Sequence, residues 1–177
     1  MGRRLAPKLG IHYCDIDELR AVAFGIPTHE EYARIWQNPT EATQRTHENM
    51  ILAYRLLHEV ANLTLEAGKS LIISATYASK TSQEFLMRIV QKHDALVRFI
   101  LCRIDHETRG ELERRMRRDD EKKFIHGTGT WSDYERVRSR YQWPHESGVI
   151  PSANLYMVNT TFPVDDLGPI MEFVLNS

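Results

Sequence analysis

The sequence has few cysteines, no long apolar run and no excess charge of either sign. Two cysteines, Cys14 and Cys102, stand in 177 residues at no metal-ligand spacing. That excludes a disulfide framework and a thiolate zinc centre, and reads as reduced, buried thiols on strands. No stretch approaches the roughly 18 apolar residues of a transmembrane helix. The opening MGRRLAPKLGIHYC carries charge but no apolar signal core, so a cytoplasmic location is the expectation. Lys and Arg total 23 against 24 Asp and Glu, a net charge of −1 with neutral histidine. With no global basic field, wholesale electrostatic capture of nucleic acid or of an anionic membrane is not indicated. The eight histidines form no HxH, HExxH or i,i+4 pair, which argues against zinc.

What is present is an ordinary globular composition, 42% hydrophobic and 27% charged. A fold of this length buries around 70% of its unfolded surface, enough for a core without staples. Strand-like and helix-like segments alternate along the chain. IHYCDID (11–17), SLIISATY (70–77), LVRFILCRI (96–104) and NLYMVNT (154–160) read as strands. Between them, 25–39 contains a short helix, and Asn38-Pro39 reads as N-cap and first residue of a long one. That long helix carries an apolar stripe of Met50, Leu52, Tyr54, Leu56, Leu57, Val60, Ala61 and Leu65, and Gly68 is its expected stop. Thr81 or Ser82 is the expected cap of a helix through Val90. A charged helix follows over 107–124, then a loop HGTGT (126–130), a helix at 133–141 and a closing helix at 165–175. Strands spaced by helices mean a parallel α/β sheet, whose ligands bind at the carboxyl ends of strands. The residues of interest are therefore Asp15 and Asp17, Ser74 to Tyr77, Arg103 to His106, and Asn159 to Thr161.

Asp15-x-Asp17-x-x-Arg20 leaves the first strand. On an extended strand two carboxylates two residues apart point the same way, an arrangement that suits a metal-water ligand beside a general base. The same spacing also suits a helix N-cap acid followed by a surface Asp17–Arg20 pair, and the sequence leaves both open. In ERRMRRDD, Arg114, Arg115, Arg117 and Arg118 sit in a mixed segment with seven basic and six acidic side chains over 107–123. Arg114 and Arg118 share a helix face with no acid at i,i+4 between them, which leaves them freer to meet phosphate; a solvated face is the competing reading. Trp131, Tyr141 and Trp143 fit base stacking or simple core anchoring.

LAPKLGIHYCDIDELR (5–20), a long helix, AGKSLIISATY (67–77), the basic helix after FILCRI and the strand-turn NLYMVNTT follow one another in an order that resembles a family. They are similar to P-loop kinases of the zeta-toxin, polynucleotide-kinase and shikimate/gluconate-kinase type, AAA-family ATP-binding proteins, over almost the whole chain. The resemblance implies one three-layer, parallel-sheet P-loop NTPase-like α/β domain over 1–177, with 107–124 as its lid, catalysing ATP-dependent phosphoryl transfer to a hydroxyl acceptor. It implies Asp17 as the general base, Arg20 and Thr76 on the acceptor side, and Asp15 holding Mg2+ through water. Arg114 and Arg118 match the catalytic lid over ATP, and Arg115, Arg117, Asn159 and Thr160 the nucleotide-side contacts. Comparable arginine fingers contribute roughly 10³–10⁵ in rate and a positioned base about 10²–10⁴. The acceptor is a small molecule or a nucleic-acid hydroxyl, which the fold does not choose between.

The sequence departs from that family pattern in definite places. GxxxxGK[ST] is absent; Gly68-Lys69-Ser70 lacks the upstream glycine and precedes a strand. The helix end LAPKLG begins only four residues after Met1, so the family's first strand and phosphate loop are missing from these residues. Ser74 and Asn159 stand where relatives often carry acids. The expectation is that Met1 is an internal methionine of a longer protein, that the absent strand belongs mid-sheet between 70–77 and 97–104, and that the 177 residues alone are inactive. The alternatives are a nucleotide-kinase fold that binds or regulates without catalysis, and a nucleic-acid-binding module.

Overall fold

The computed structural model describes residues 1–25, 39–103, 110, 139, 142–144, 146–160 and 164–176, with the backbone alone for 39–47 and 103. Apart from isolated residues, the short helix expected in 25–39 and the elements expected at 107–124, 126–130 and 133–141 lie outside the described residues. In chain order the elements are α1 (Gly2–Leu9), β1 (His12–Asp15), α2 (Ile16–Phe24), α3 (Pro39–Glu66), β2 (Leu71–Ser74), α4 (Lys80–Lys92), β3 (Phe99–Arg103), a 3-10 turn (Ser152–Asn154), β4 (Leu155–Asn159) and α5 (Gly168–Leu175). Among the described residues no helix is long and apolar enough to cross a membrane. They form two compact units, Met1–Thr76 with Arg88–Ala95, and Tyr77–Met87 with Leu96–Ser177.

In the first unit β1 and β2 run parallel, with His12 opposite Leu71 and Asp15 opposite Ser74. The core beside this pair is Ile16, Ala53 and Leu57, packed by Cys14, Leu19, Met50, Tyr54, Ile73 and Ala75. Along α3 the buried line is Ala53, Leu57 and Ala61, spaced four apart, whereas Leu52 and Leu56 of the expected stripe are exposed. A residue one position off that line is rotated about 100° around the helix, so the inward stripe is narrower than the apolar pattern. The start of α3 at Pro39 is as expected. Its end is a Schellman motif: Gly68 has φ of 69° and donates to the Leu65 carbonyl, while Lys69 donates to Thr64. Only a residue tolerant of the left-handed region can stop the helix this way. Gly2 is needed for a different reason, since a Cβ there would lie 2.5 Å from the Tyr13 ring.

In the second unit β3 and β4 run parallel, from Phe99 opposite Leu155 to Arg103 opposite Asn159. Tyr77, Leu86, Ile150, Val158, Leu167 and Ile170 are its buried apolar residues. Arg98 ties α5 down by donating to the carbonyls of Phe173 and Asn176 and to Asn154 Oδ1, with its guanidinium over the Phe173 ring. The cap of α4 is Ser79, not Thr81 or Ser82: its Oγ accepts from the Ser82 amide at 3.2 Å, the bond an N-cap makes to the third helical residue. Among the described residues β2 pairs only with β1, and β3 only with β4.

Candidate active site at the carboxyl end of the first strand

The expected strand over 11–17 stops at Asp15, and Asp17 lies in the first turn of α2. The reason is the Asp15 side chain. Its Oδ1 accepts from the amides of Asp17 at 2.9 Å and Glu18 at 3.3 Å, satisfying two donors that a new helix leaves without partners. Of the two readings that the spacing left open, the structure shows the second: Asp15 caps the helix and Asp17 pairs with Arg20 on it, so the two carboxylates do not share a face of an extended strand.

Oδ2 of the same carboxylate accepts the Tyr13 hydroxyl at 2.8 Å. Tyr13 and Asp15 are two apart on a strand and so share a face, a signal present in HYCD. Burial pushes the Tyr13 phenol up; a hydrogen bond with Ser74 works against this, and the bond and charge of Asp15 add to it. Arg3 lies over the Tyr13 ring and pairs with Glu18, which brings α1 against the same strand end. Burial and the Asp15 charge push the Cys14 thiol up, which favours its protonated form.

One turn into α2, Arg20 Nη2 stands 3.5 Å from Asp17 Oδ1, with Asp17 43% and Arg20 22% exposed. An exposed i,i+3 pair contributes only about 0.3–0.5 kcal/mol, so its main consequence is geometric: a carboxylate and a guanidinium are held side by side and open to solvent. Because Asp15 and Ser74 are in register, β2 ends at the same level, and exposed Thr76 follows it there. Asp15 thus ends β1, Thr76 follows the neighbouring strand at the same end, and Asp17 and Arg20 lie in the helix that leaves β1. Asn159 and Thr160 end β4 in the second unit, also at a carboxyl strand end. Arg114, Arg115, Arg117 and Arg118 lie outside the described residues.

Whether these residues suit Mg2+ and nucleotide phosphates is a matter of donors. Asp15 already receives three hydrogen bonds, and among the described residues no group of three or more His, Cys, Asp or Glu side chains is placed to hold a metal. The sequence contains no GxxxxGK[ST] loop to cradle phosphates. By themselves the described residues do not fit either group. What they form is a carboxylate and a guanidinium side by side in the helix that follows a strand end.

Parallel strands alternating with helices, with acidic and basic side chains at carboxyl strand ends, make this an α/β protein, in keeping with a P-loop NTPase-like fold. Residues 11–140 match the family described as AAA domain, and the chain belongs to it. The structure is also similar to a crystal structure titled as a "putative kinase" from Chloroflexus aurantiacus J-10-fl. The two are 21% identical, and the match covers 98% of this chain and 84% of that one, with a TM-score of 0.66. Identity of that order shows a shared fold. No protein of curated function matches the sequence.

Proposed function

We propose that this protein takes part in ATP-dependent phosphoryl transfer to a hydroxyl acceptor and that Asp15, Asp17, Arg20 and Thr76 form its acceptor side. The supporting observation is the Asp17–Arg20 pair, anchored in the first turn of α2 by the Asp15 cap. In this reading Asp17 accepts the proton of the acceptor hydroxyl as its oxygen bonds to the γ-phosphorus of ATP and the bond to the leaving ADP breaks, and Arg20 orients the acceptor. Arg114 and Arg118 would neutralise charge on the moving phosphoryl group, with Arg115, Arg117, Asn159 and Thr160 on the nucleotide side. The acceptor is a small molecule or a nucleic-acid end.

Asp17→Asn tests this directly. It keeps the side chain's shape and removes its basicity, so in a form of the protein that binds ATP and turns over, turnover should fall about 10²–10⁴-fold while ATP affinity is unchanged. Retained turnover removes Asp17 from the role. A second reading is supported by Ser74 and Asn159, which stand where relatives often carry acids: a kinase-like fold that binds or regulates without catalysis. Titration with Mg-ATP separates the two, because a saturable rise in melting temperature argues for a live nucleotide site.

A further inference from the structure

The second unit holds a polar side chain whose burial the preceding reading does not use. Gln83, in the first turns of α4, has 0% exposure. Its Nε2 donates to the Tyr77 carbonyl and to the Gln142 carbonyl, both at 2.8 Å, and its Oε1 accepts from Ser147 Oγ. Around it, the Gln142 amide donates to the Ala78 carbonyl at 2.7 Å, and the Lys80 amide donates to Gln142 Oε1 at 2.9 Å. Four of these hydrogen bonds therefore join residues 78–83 to a segment about sixty residues further along the chain, and the fifth, to the Tyr77 carbonyl, ties the turn to α4. Tyr77, the residue whose carbonyl is held, has φ of +44°, a conformation uncommon for any side chain beyond glycine, asparagine and aspartate.

An apolar residue would fill this space without the cost of desolvating an amide. A buried amide is tolerated only when its hydrogen bonds are made, and here both donors and the acceptor are engaged at once. Each bond goes to a different residue, so the side chain acts as a three-way connector. Its position matters because the turn it holds starts directly after Thr76, at the carboxyl end of a parallel strand, where α/β proteins place ligand-binding residues.

We propose that Gln83 is a positioning residue: acting through the Tyr77 carbonyl, its amide clasps the Tyr77–Lys80 turn to Gln142 and Ser147 and sets the conformation of that turn. That the turn serves a hydroxyl acceptor rests on the function proposed above; the clasp itself does not.

Amide hydrogen exchange on the whole protein reads the clasp without any assay of activity. The reporters are the Lys80 and Gln142 amides, which donate within it, and the control is the β3–β4 ladder. Gln83→Met keeps the side chain's length and removes all three bonds. It should speed exchange at Lys80 and Gln142 about tenfold or more and leave the ladder unchanged. Equal acceleration across the unit would show a general packing role and overturn the proposal, as would no change. Should Gln83→Met fail to fold, Ser147→Ala removes one of the three Gln83 bonds, together with the hydroxyl's local bonds to the Pro144 carbonyl and the Val149 amide; a severalfold acceleration at Lys80 and Gln142 supports the clasp and none there overturns it. A clasp that opens in these variants of a protein without phosphoryl transfer would retire the kinase reading and leave the clasp standing.

Discussion

The Tyr13 hydroxyl donates to Oδ2 of Asp15 at 2.8 Å, while Oδ1 of that carboxylate caps α2. One side chain thereby joins the end of a strand to the start of a helix, and the position of Asp17 and Arg20 one turn later depends on it. Asp15 is thus placed to orient the acidic and basic pair as well as to stabilise the fold.

Replacing Asp15 separates these contributions. Asp15→Ala should cost about 0.5–2 kcal/mol for the lost cap, whereas Asp15→Asn, itself a good N-cap, should cost only a few tenths. Urea denaturation of the two variants checks this. Equal stability of Asp15→Ala and the parent would show that the cap contributes nothing.

Tyr13 gives the protein an alkaline limit. Its folded pKa lies above the ordinary 10.0, chiefly through burial. Near and above pH 10 the unfolded phenol releases its proton while the folded one keeps it. The folded state then binds more protons, so stability falls as pH rises until the folded group also ionises. Stability measured against pH should show a smaller alkaline decline in Tyr13→Phe than in the parent. Identical slopes would rule out the shift.

His58 sets an acid limit by the opposite sign. It is 6% exposed on α3, beside the Tyr54 ring, and burial lowers its pKa from the ordinary 6.5. As pH falls through 6.5 the unfolded imidazole binds a proton that the folded ring does not. Stability therefore declines with falling pH, down to the folded pKa, and is fully present above 6.5. A His58→Leu variant should lose this part of the acid dependence. An NMR titration placing the folded His58 at or above 6.5 would contradict it.

Much of the local structure was legible from short stretches of sequence. Pro39 starts α3, Gly68 ends it, the four strands fall within their expected segments, and both strand pairs are parallel. These features depend on backbone hydrogen bonds spanning a few residues and on conformational limits of single residues, so their causes lie next to each other in the chain. The family, too, was legible, since it rests on the order of such segments.

The remaining features depended on which surfaces meet. SKTS offers three capping hydroxyls, and only folding chose Ser79. The apolar residues of α3 do not by themselves say that Ala53, Leu57 and Ala61 face inward while Leu52 and Leu56 stay exposed. Nothing near Gln83 in sequence announces Gln142 or Ser147, because a buried amide finds its partners only when distant segments are brought together. At the first strand, the sequence by itself determined which acids and bases gather at its end. Tertiary structure decided what each does there: whether Asp15 extends the strand or caps a helix is a competition between hydrogen bonds, settled once β1, Tyr13 and α2 are packed together.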